Sequence, residues 1–177
     1  VDIEKLIREL VRDEALRLKP YHCPAGKLTI GIGRNLDDVG LSAEEARALG
    51  VDLAGDWKGE LGRRGITEEQ AFLLCRSDVA KVQAQLDVKL PWWKDLEDAR
   101  QRVLANMAFN MGIAGLLGFK NTLELVRCGQ YVDAANHMLD SKWARQVGVG
   151  TEEKPGRALR LALMMRDGKV FAERNVA

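Results

Sequence analysis

Histidine, cysteine and proline are scarce in this chain of 177 residues, at two, three and four, and aromatic side chains make up only 6% of it. Two histidines, His22 and His137, supply too few ligands for a zinc centre, and no pair of cysteines has metal-ligand spacing. No metal or other cofactor is therefore expected. Cys23, Cys75 and Cys128 are an odd, widely spaced set, a poor disulfide framework that suits a reducing compartment. Neither sign of charge dominates: the formal net charge is +1, so there is no global electrostatic case for nucleic acid as a partner. Arg63-Arg64 and the arginines toward the carboxyl terminus read as solvated surface. No stretch approaches the roughly 20 apolar residues that span a bilayer. The first fourteen residues are charged throughout and lack the apolar run and cleavage site of a signal peptide, so none is expected.

What is present is an ordinary globular composition, 46% hydrophobic and 30% charged, with a length that suits one domain or two lobes sharing a core. Ile3, Leu6, Ile7, Leu10 and Val11 recur at spacings of three and four, the stripe of an amphipathic helix. The same stripe reaches Glu14 in the last turn. Partial burial and the negative end of the helix dipole would both favour its protonated form. Pro20 and the Pro24-Ala25-Gly26 turn then begin extended structure, and Lys27 to Gly33 reads as a strand or hairpin. Its glycines imply close backbone approach, to another strand or to a substrate.

The rest of the pattern is helical. Ser42 to Glu45 and Thr67 to Gln70 are capping boxes, the second opening a long helix with a seam of Phe72, Cys75, Val79, Val82 and Leu86. Leu96 to Met111 is apolar on most sides, a core helix, with Gly112, Gly115 and Gly118 marking turns after it. Further helices are expected near Asn121–Arg127, Tyr131–Trp143 and Pro155–Arg166, and the segment from Val147 to Lys154 as a flexible loop. The expected architecture is α+β. A first helix (1–16) packs with the carboxyl-terminal lobe, a small sheet-bearing lobe follows (17–66), then a connecting helix (67–87) and a helical lobe (88–177). A cleft between lobes is the natural place for a ligand.

Glu14, Cys23 and Thr29 follow Glu-x8-Cys-x5-Thr across helix end, turn and strand. The surrounding run from Asp13 to Tyr21, then Leu28-Thr-Ile-Gly-Ile-Gly33, closely resembles the catalytic region of the phage-type lysozymes of glycoside hydrolase family 24. Asn106 to Gly112, Gly118-Phe119 with Asn121, Ser141-Lys-Trp143 and Pro155 to Arg160 continue the resemblance in order along nearly the whole chain. It implies a lysozyme-like fold and a muramidase that splits the bond from N-acetylmuramic acid to N-acetylglucosamine in peptidoglycan. Glu14 would be the general acid. Cys23 stands where the family commonly has an aspartate; with Thr29 it would position or activate water, aided by His22 if that side chain lies close. The resemblance further implies an Asp13–Arg160 ion pair, Arg157 near the catalytic glutamate, and Arg34 with Asp78 in place of a histidine–aspartate pair. Leu36, Asn110, Phe119 and His137 are its candidate glycan contacts. The expected lack of a signal peptide fits an endolysin, a monomer held in the host bacterial cytoplasm until a separate holin lets it reach the periplasmic wall; it fits equally a prophage product or a lysozyme used by a phage-tail-like particle. Two other classes fit parts of the pattern. One is a cysteine amidase or endopeptidase pairing Cys23 with His137 or His22; the other is a non-catalytic glycan-binding module.

Overall fold

A computed structural model describes residues 1–169; the arginine near the carboxyl terminus, Arg174, and the end of the expected helical lobe lie outside the described residues. The fold is lysozyme-like α+β, mostly helical with one small antiparallel sheet. The chain divides into two compact units, one of residues Ile7–Lys81 and the other of residues 1–6 with those from 82 onward. Each is described by itself. The division falls inside two helices, α1 (Ile3–Glu14) and α4 (Glu68–Lys89).

The helical stripe of α1 is borne out, with Leu6, Ile7 and Leu10 all buried. The helix stops at Glu14 because Ala15 turns into the left-handed region at φ 61°, the one described non-glycine residue with positive φ. That turn sends the chain directly into β1 (Arg17–His22), which pairs antiparallel with β2 (Leu28–Gly31), itself paired with β3 (Arg34–Asn35). The β1–β2 register shifts between Arg17 and Tyr21. Pro20 lies in that interval and has no N–H to give a ladder.

Ser42 and Glu45 form the expected capping box at the start of α2 (Ala43–Leu49), and Thr67 with Gln70 form the second before α4. Between them lies α3 (Trp57–Arg64), a helix that sequence reading missed. Gly59 and Gly62 interrupt its pattern, and Asp56 supplies its cap by accepting from the Gly59 N–H at 3.0 Å. Ile30, Leu36, Leu49, Leu61, Ile66 and Leu74 form the core of this unit.

In the other unit, α5 (Asp98–Leu117) is the expected core helix, with every residue from Ala99 to Ala108 buried. Gly112 kinks it, yet helix resumes to Leu117, so the expected break is a bend. Then come α6 (Lys120–Arg127) and α7 (Tyr131–Leu139). The single helix expected over Tyr131–Trp143 is in fact two: Ser141 caps a new one, α8 (Lys142–Val147), by accepting from the Ala144 N–H at 3.0 Å. The segment expected as a flexible loop is a closed turn. Gly156 N–H donates to Val149 at 2.7 Å, Thr151 N–H to Lys154 at 3.1 Å, and the Lys154 N–H to the Thr151 hydroxyl. It delivers the chain to α9 (Arg157–Asp167), which packs on α5 and α7. Among the described residues no single helix is long and apolar enough to cross a membrane.

Arg34 is the tie of the sheet-bearing unit. Its side chain is only 1% exposed and all five N–H donors find acceptors. Nε donates to Asp78 at 2.7 Å; Nη1 to Glu45 at 2.8 Å and the Gly40 carbonyl at 3.2 Å; Nη2 to Glu45 at 2.8 Å and the Leu74 carbonyl at 3.1 Å. The expected pairing with Asp78 is present, and the fork to Glu45 was not foreseen. One buried cation thus serves two carboxylates. The bidentate bond to Arg34 holds Glu45 well below the usual carboxylate range, whereas burial raises Asp78 despite its single bond to the same arginine.

Two predictions follow from these contacts. A carboxylate with a depressed value contributes stability above its unfolded pKa, about 4.3 for Glu, and loses it as pH falls. A raised one gives the opposite slope. Glu45→Gln is expected to cost about 3 kcal/mol at pH 7 and to flatten the loss of stability on acidification. Asp78→Asn is expected to cost less and to steepen that loss. Urea denaturation from pH 7 to pH 3 checks both; parallel curves for the three proteins would contradict the assignment. Ala15→Gly is expected to stabilise the chain by about 0.5–1 kcal/mol, because it removes left-handed strain of about 1–2 kcal/mol at a smaller entropic cost. A lowered urea midpoint would count against it.

Candidate active site

The three residues of the Glu-x8-Cys-x5-Thr pattern all lie in the sheet-bearing unit. Glu14, half-buried at the last position of α1, lies across the backbone of Gly33. A Cβ placed on that glycine would meet the Glu14 Oε2 at 3.4 Å and its Cδ and Cγ at 3.5 Å. Gly33 also has φ +74°, which side-chain-bearing residues rarely adopt. The close approach inferred from the glycines of this segment is therefore made, at Gly33, by the carboxyl group of Glu14. At Gly31 it is made by Ala71 of α4, 3.4 Å from where a Cβ would sit.

Cys23 opens the turn between β1 and β2. Its N–H donates to the Lys27 carbonyl at 3.0 Å, and its own carbonyl accepts from the Gly26 N–H at 2.7 Å. This folds the backbone N–H groups of Lys27 and Ala25 toward the partly exposed sulfur, and those bonds, led by that of Lys27, lower the thiol below its ordinary value. The main cause of that lowering is the turn itself. His22 is exposed at the end of β1, opposite Leu28. Thr29, buried on β2, donates its hydroxyl to the Lys27 carbonyl at 3.0 Å and is among the lesser causes that lower the Cys23 thiol. Cys23 and Thr29 are thus brought together by a single turn.

Tyr21 joins them. It pairs directly with Thr29 across β1 and β2, so the two side chains share a face of the sheet. The Arg17 guanidinium lies 4.2 Å from the centre of its ring. Burial pushes the phenol up; Arg17 opposes this, and the charges of Glu14 and Cys23 add to it. Sequence reading passed over this residue. The signal that could have found it is the strand period of two, which puts Tyr21 and Cys23 on one side.

The other candidates are placed as follows. Leu36 is a core residue, 1% exposed, with almost no surface to offer a ligand. Asn110 and Phe119 are brought together in the helical unit by Trp143. Its indole N–H donates to the Asn110 Oδ1 at 2.9 Å, and the Phe119 ring meets it edge-on at 6.2 Å. His137 is exposed on α7. The Asp13 side chain is fully covered, with Arg12 Nε 3.6 Å from its carboxylate. Arg160 donates to the Pro155 carbonyl. Arg157 is buried and holds Asn106, donating through Nε to its Oδ1 at 2.9 Å and through Nη2 to its carbonyl at 3.3 Å.

The chain is similar to several known proteins. It is 33% identical over 168 residues to the pre-baseplate central spike protein Gp5 of Enterobacteria phage T4, an alignment covering 91% of this chain and 27% of that protein. The chain thus spans about a quarter of the spike protein. It is 27% identical over 176 residues to a protein named Probable T4-type lysozyme 1 of Dictyostelium discoideum, covering 94% and 96% of the two chains. It is 28% identical over 148 residues to an endolysin of Acyrthosiphon pisum secondary endosymbiont phage 1, covering 80% and 79%. The family model described as phage lysozyme matches residues 11–160, an interval that holds Glu14, Cys23, Thr29 and the Arg34 tie. With most of its length matched, the chain belongs to the phage lysozyme family of glycoside hydrolases.

Proposed function

We propose that the chain is a muramidase that hydrolyses the β-1,4 bond between N-acetylmuramic acid and N-acetylglucosamine in peptidoglycan, with Glu14, Cys23 and Thr29 as its catalytic residues. The observation that carries this reading is the match of residues 11–160 to the phage lysozyme family, an interval in which Glu14 ends α1, Cys23 opens the β1–β2 turn and Thr29 lies on β2. The N–H groups of that turn favour an anionic side chain at position 23, the property that the family's usual aspartate brings to the position.

In this mechanism Glu14 gives its proton to the glycosidic oxygen as the bond to the anomeric carbon breaks. Water adds its oxygen to that carbon from the opposite face. Its departing proton passes to the Cys23 thiolate, and Thr29 orients it. The product is inverted. The lowered thiol makes the thiolate more available than in a free cysteine. Asn110, Phe119 and His137 are proposed glycan contacts; the Trp143 pairing gives the first two a fixed arrangement. Asp13, Arg157 and Arg160 are proposed supports.

The proposed setting is host lysis by an endolysin acting as a monomer, held in the host cytoplasm and reaching the periplasmic wall through a separate holin. A second setting is favoured by the identity to the central spike protein: a wall-cutting module of a spike-like assembly.

Release of reducing ends from purified peptidoglycan tests the activity. Glu14→Gln is expected to lower the rate by at least about a hundredfold while wall binding persists. Cys23→Asp is expected to keep activity, since the N–H groups of Ala25 and Lys27 suit a carboxylate, and Cys23→Ser to lose most of it. New amines without reducing ends would overturn the reading in favour of a cysteine amidase. Binding without either product would make the chain a glycan-binding module. NMR of the first product reports the anomer, and a retained one would replace water by sulfur as the attacking group.

A further inference from the structure

The peptide group between Lys27 and Leu28 lies at the centre of the turn that Cys23 opens, and it is held at both edges. Its carbonyl accepts from two of the proposed catalytic residues, the Cys23 N–H at 3.0 Å and the Thr29 hydroxyl at 3.0 Å. Its N–H, on the opposite edge of the same rigid plane, donates to the Asp37 Oδ2 at 2.8 Å. Asp37 is itself fixed. Lys58, in the first turn of α3, donates to its Oδ1 at 2.7 Å, and its own N–H donates to the Asn35 Oδ1 at 2.9 Å. Asn35 is the β3 residue that pairs with Thr29. Asp38 adds a second tie, accepting from the Lys27 ammonium group at 2.9 Å and from the Asn35 amide at 2.9 Å. All four carboxylate oxygens of the two aspartates thus take protein donors, and together they clamp the turn to β3 and α3.

We propose that Asp37 is a positioning residue for the hydrolysis: its carboxylate fixes the plane of the Lys27–Leu28 peptide, and through the carbonyl of that plane it fixes the Cys23 backbone and the Thr29 hydroxyl relative to each other. This rests on the reading of Cys23 and Thr29 as catalytic residues. The bond to Asp37 is exposed, so water can replace it at a small net cost in energy. Water cannot replace it in direction, because a water molecule carries no tie to β3 and α3. An anionic acceptor at the N–H also polarises the peptide and makes its carbonyl the stronger acceptor for the Thr29 hydroxyl. Lys58 first, and then the Leu28 N–H, hold Asp37 below the ordinary carboxylate value, so this acceptor stays anionic near neutral pH. The clamped segment also carries the Lys27 N–H, the first among the groups that lower the Cys23 thiol. The thiol therefore reports whether the clamp is closed.

The test compares Asp37→Ala, Asp37→Asn and Cys23→Ser with the intact chain. It reads kcat and KM on peptidoglycan, the thermal midpoint, and the pH midpoint for alkylation of Cys23 by iodoacetamide. Alkylation is run in a Cys128→Ser background, because Cys128 is exposed whereas Cys75 is buried. Lys27 and Tyr21, titratable side chains that feel the charge of Cys23, are kept in every variant. Asp37→Ala removes the acceptor. Its kcat is expected to fall about tenfold, the scale of one charge-assisted hydrogen bond, with KM within about twofold. Its alkylation midpoint is expected to rise by about 0.5–1 pH unit as the Lys27 N–H loses its aim at the sulfur. Asp37→Asn keeps an oxygen for the Leu28 N–H and drops the charge, so it is expected to recover most of the rate and the midpoint of the intact chain. Loss of the charge alone would instead lower the alkylation midpoint equally in both variants, and that result would overturn the proposal. So would a change in only one of kcat and alkylation midpoint, or a lowered thermal midpoint with both unmoved. Cys23→Ser separates this from failure of the underlying reading. If Cys23→Ser keeps the full rate, the site is misassigned and the proposal falls with it. If Cys23→Ser is inactive while Asp37→Ala matches the intact chain, only the role of Asp37 is lost.

Discussion

The sheet-bearing unit depends on one buried guanidinium. Arg34 follows directly on Gly33, the residue against which Glu14 rests, and its five donors reach α2, α4 and the loop at Gly40. A hairpin of four and two residues is too short to hold its own register. The arginine compensates by fixing β3 to two helices at once. The β2–β3 pairing, Thr29 with Asn35 and Ile30 with Arg34, then helps to place Thr29, which also pairs with Tyr21 on β1. Because a guanidinium stays charged at every pH a protein survives, this anchoring has no switch near neutrality.

Having one buried cation for two carboxylates shapes the energetics. Glu45 takes the bidentate geometry and two other donors, the Ser42 N–H and the Ser77 hydroxyl. Asp78 takes a single bond and the burial cost, and Lys81, an exposed second cation, lies 3.7 Å from it and 3.6 Å from Glu45. The same glutamate closes the capping box of α2. Local helix capping and tertiary anchoring are therefore joined in one side chain, and removing it weakens both. Desolvation makes such clusters costly to break, whatever their net worth when intact.

Periodicity and caps were legible in the sequence because they are local. The stripe of α1, both capping boxes and the wholly apolar start of α5 could all be read from spacing. What was not legible depends on partners distant in sequence or on backbone direction. Arg34 could be matched with Asp78 by resemblance, but its fork to Glu45 needed the fold. α3 was hidden by two glycines, and the end of α7 by Ser141, whose capping role competes with a pattern that runs on to Trp143. The loop before α9 looked mobile from its glycines, which in fact let its two arms close. At the candidate site, Glu14, Cys23 and Thr29 were readable from the family pattern. Tyr21 was not, because its membership comes from the register of β1 on β2 and from the ring contact with Arg17.

Two positions of this unit that favour the anionic form, Glu45 and Cys23, are handled in opposite ways. Glu45 is anionic because a buried cation holds it, so only a residue matching that fork will serve. The side chain at position 23 faces N–H groups that the turn presents whatever residue stands there. Backbone donors fit a sulfur or a carboxylate oxygen about equally in direction, though the sulfur is larger and the bonds to it weaker. The turn thus fixes the charge preference of the position and leaves its chemistry to the residue. A thiolate there is a softer base than a carboxylate and a better nucleophile. In the proposed mechanism, whether it takes a proton from water or attacks carbon depends on what Thr29 holds beside it. A hydroxyl that keeps water between sulfur and substrate favours the first route, and it does so only while the hairpin carrying it stays in register. In the proposed mechanism that register depends on the interaction at Arg34, three residues beyond the end of the strand that bears the threonine.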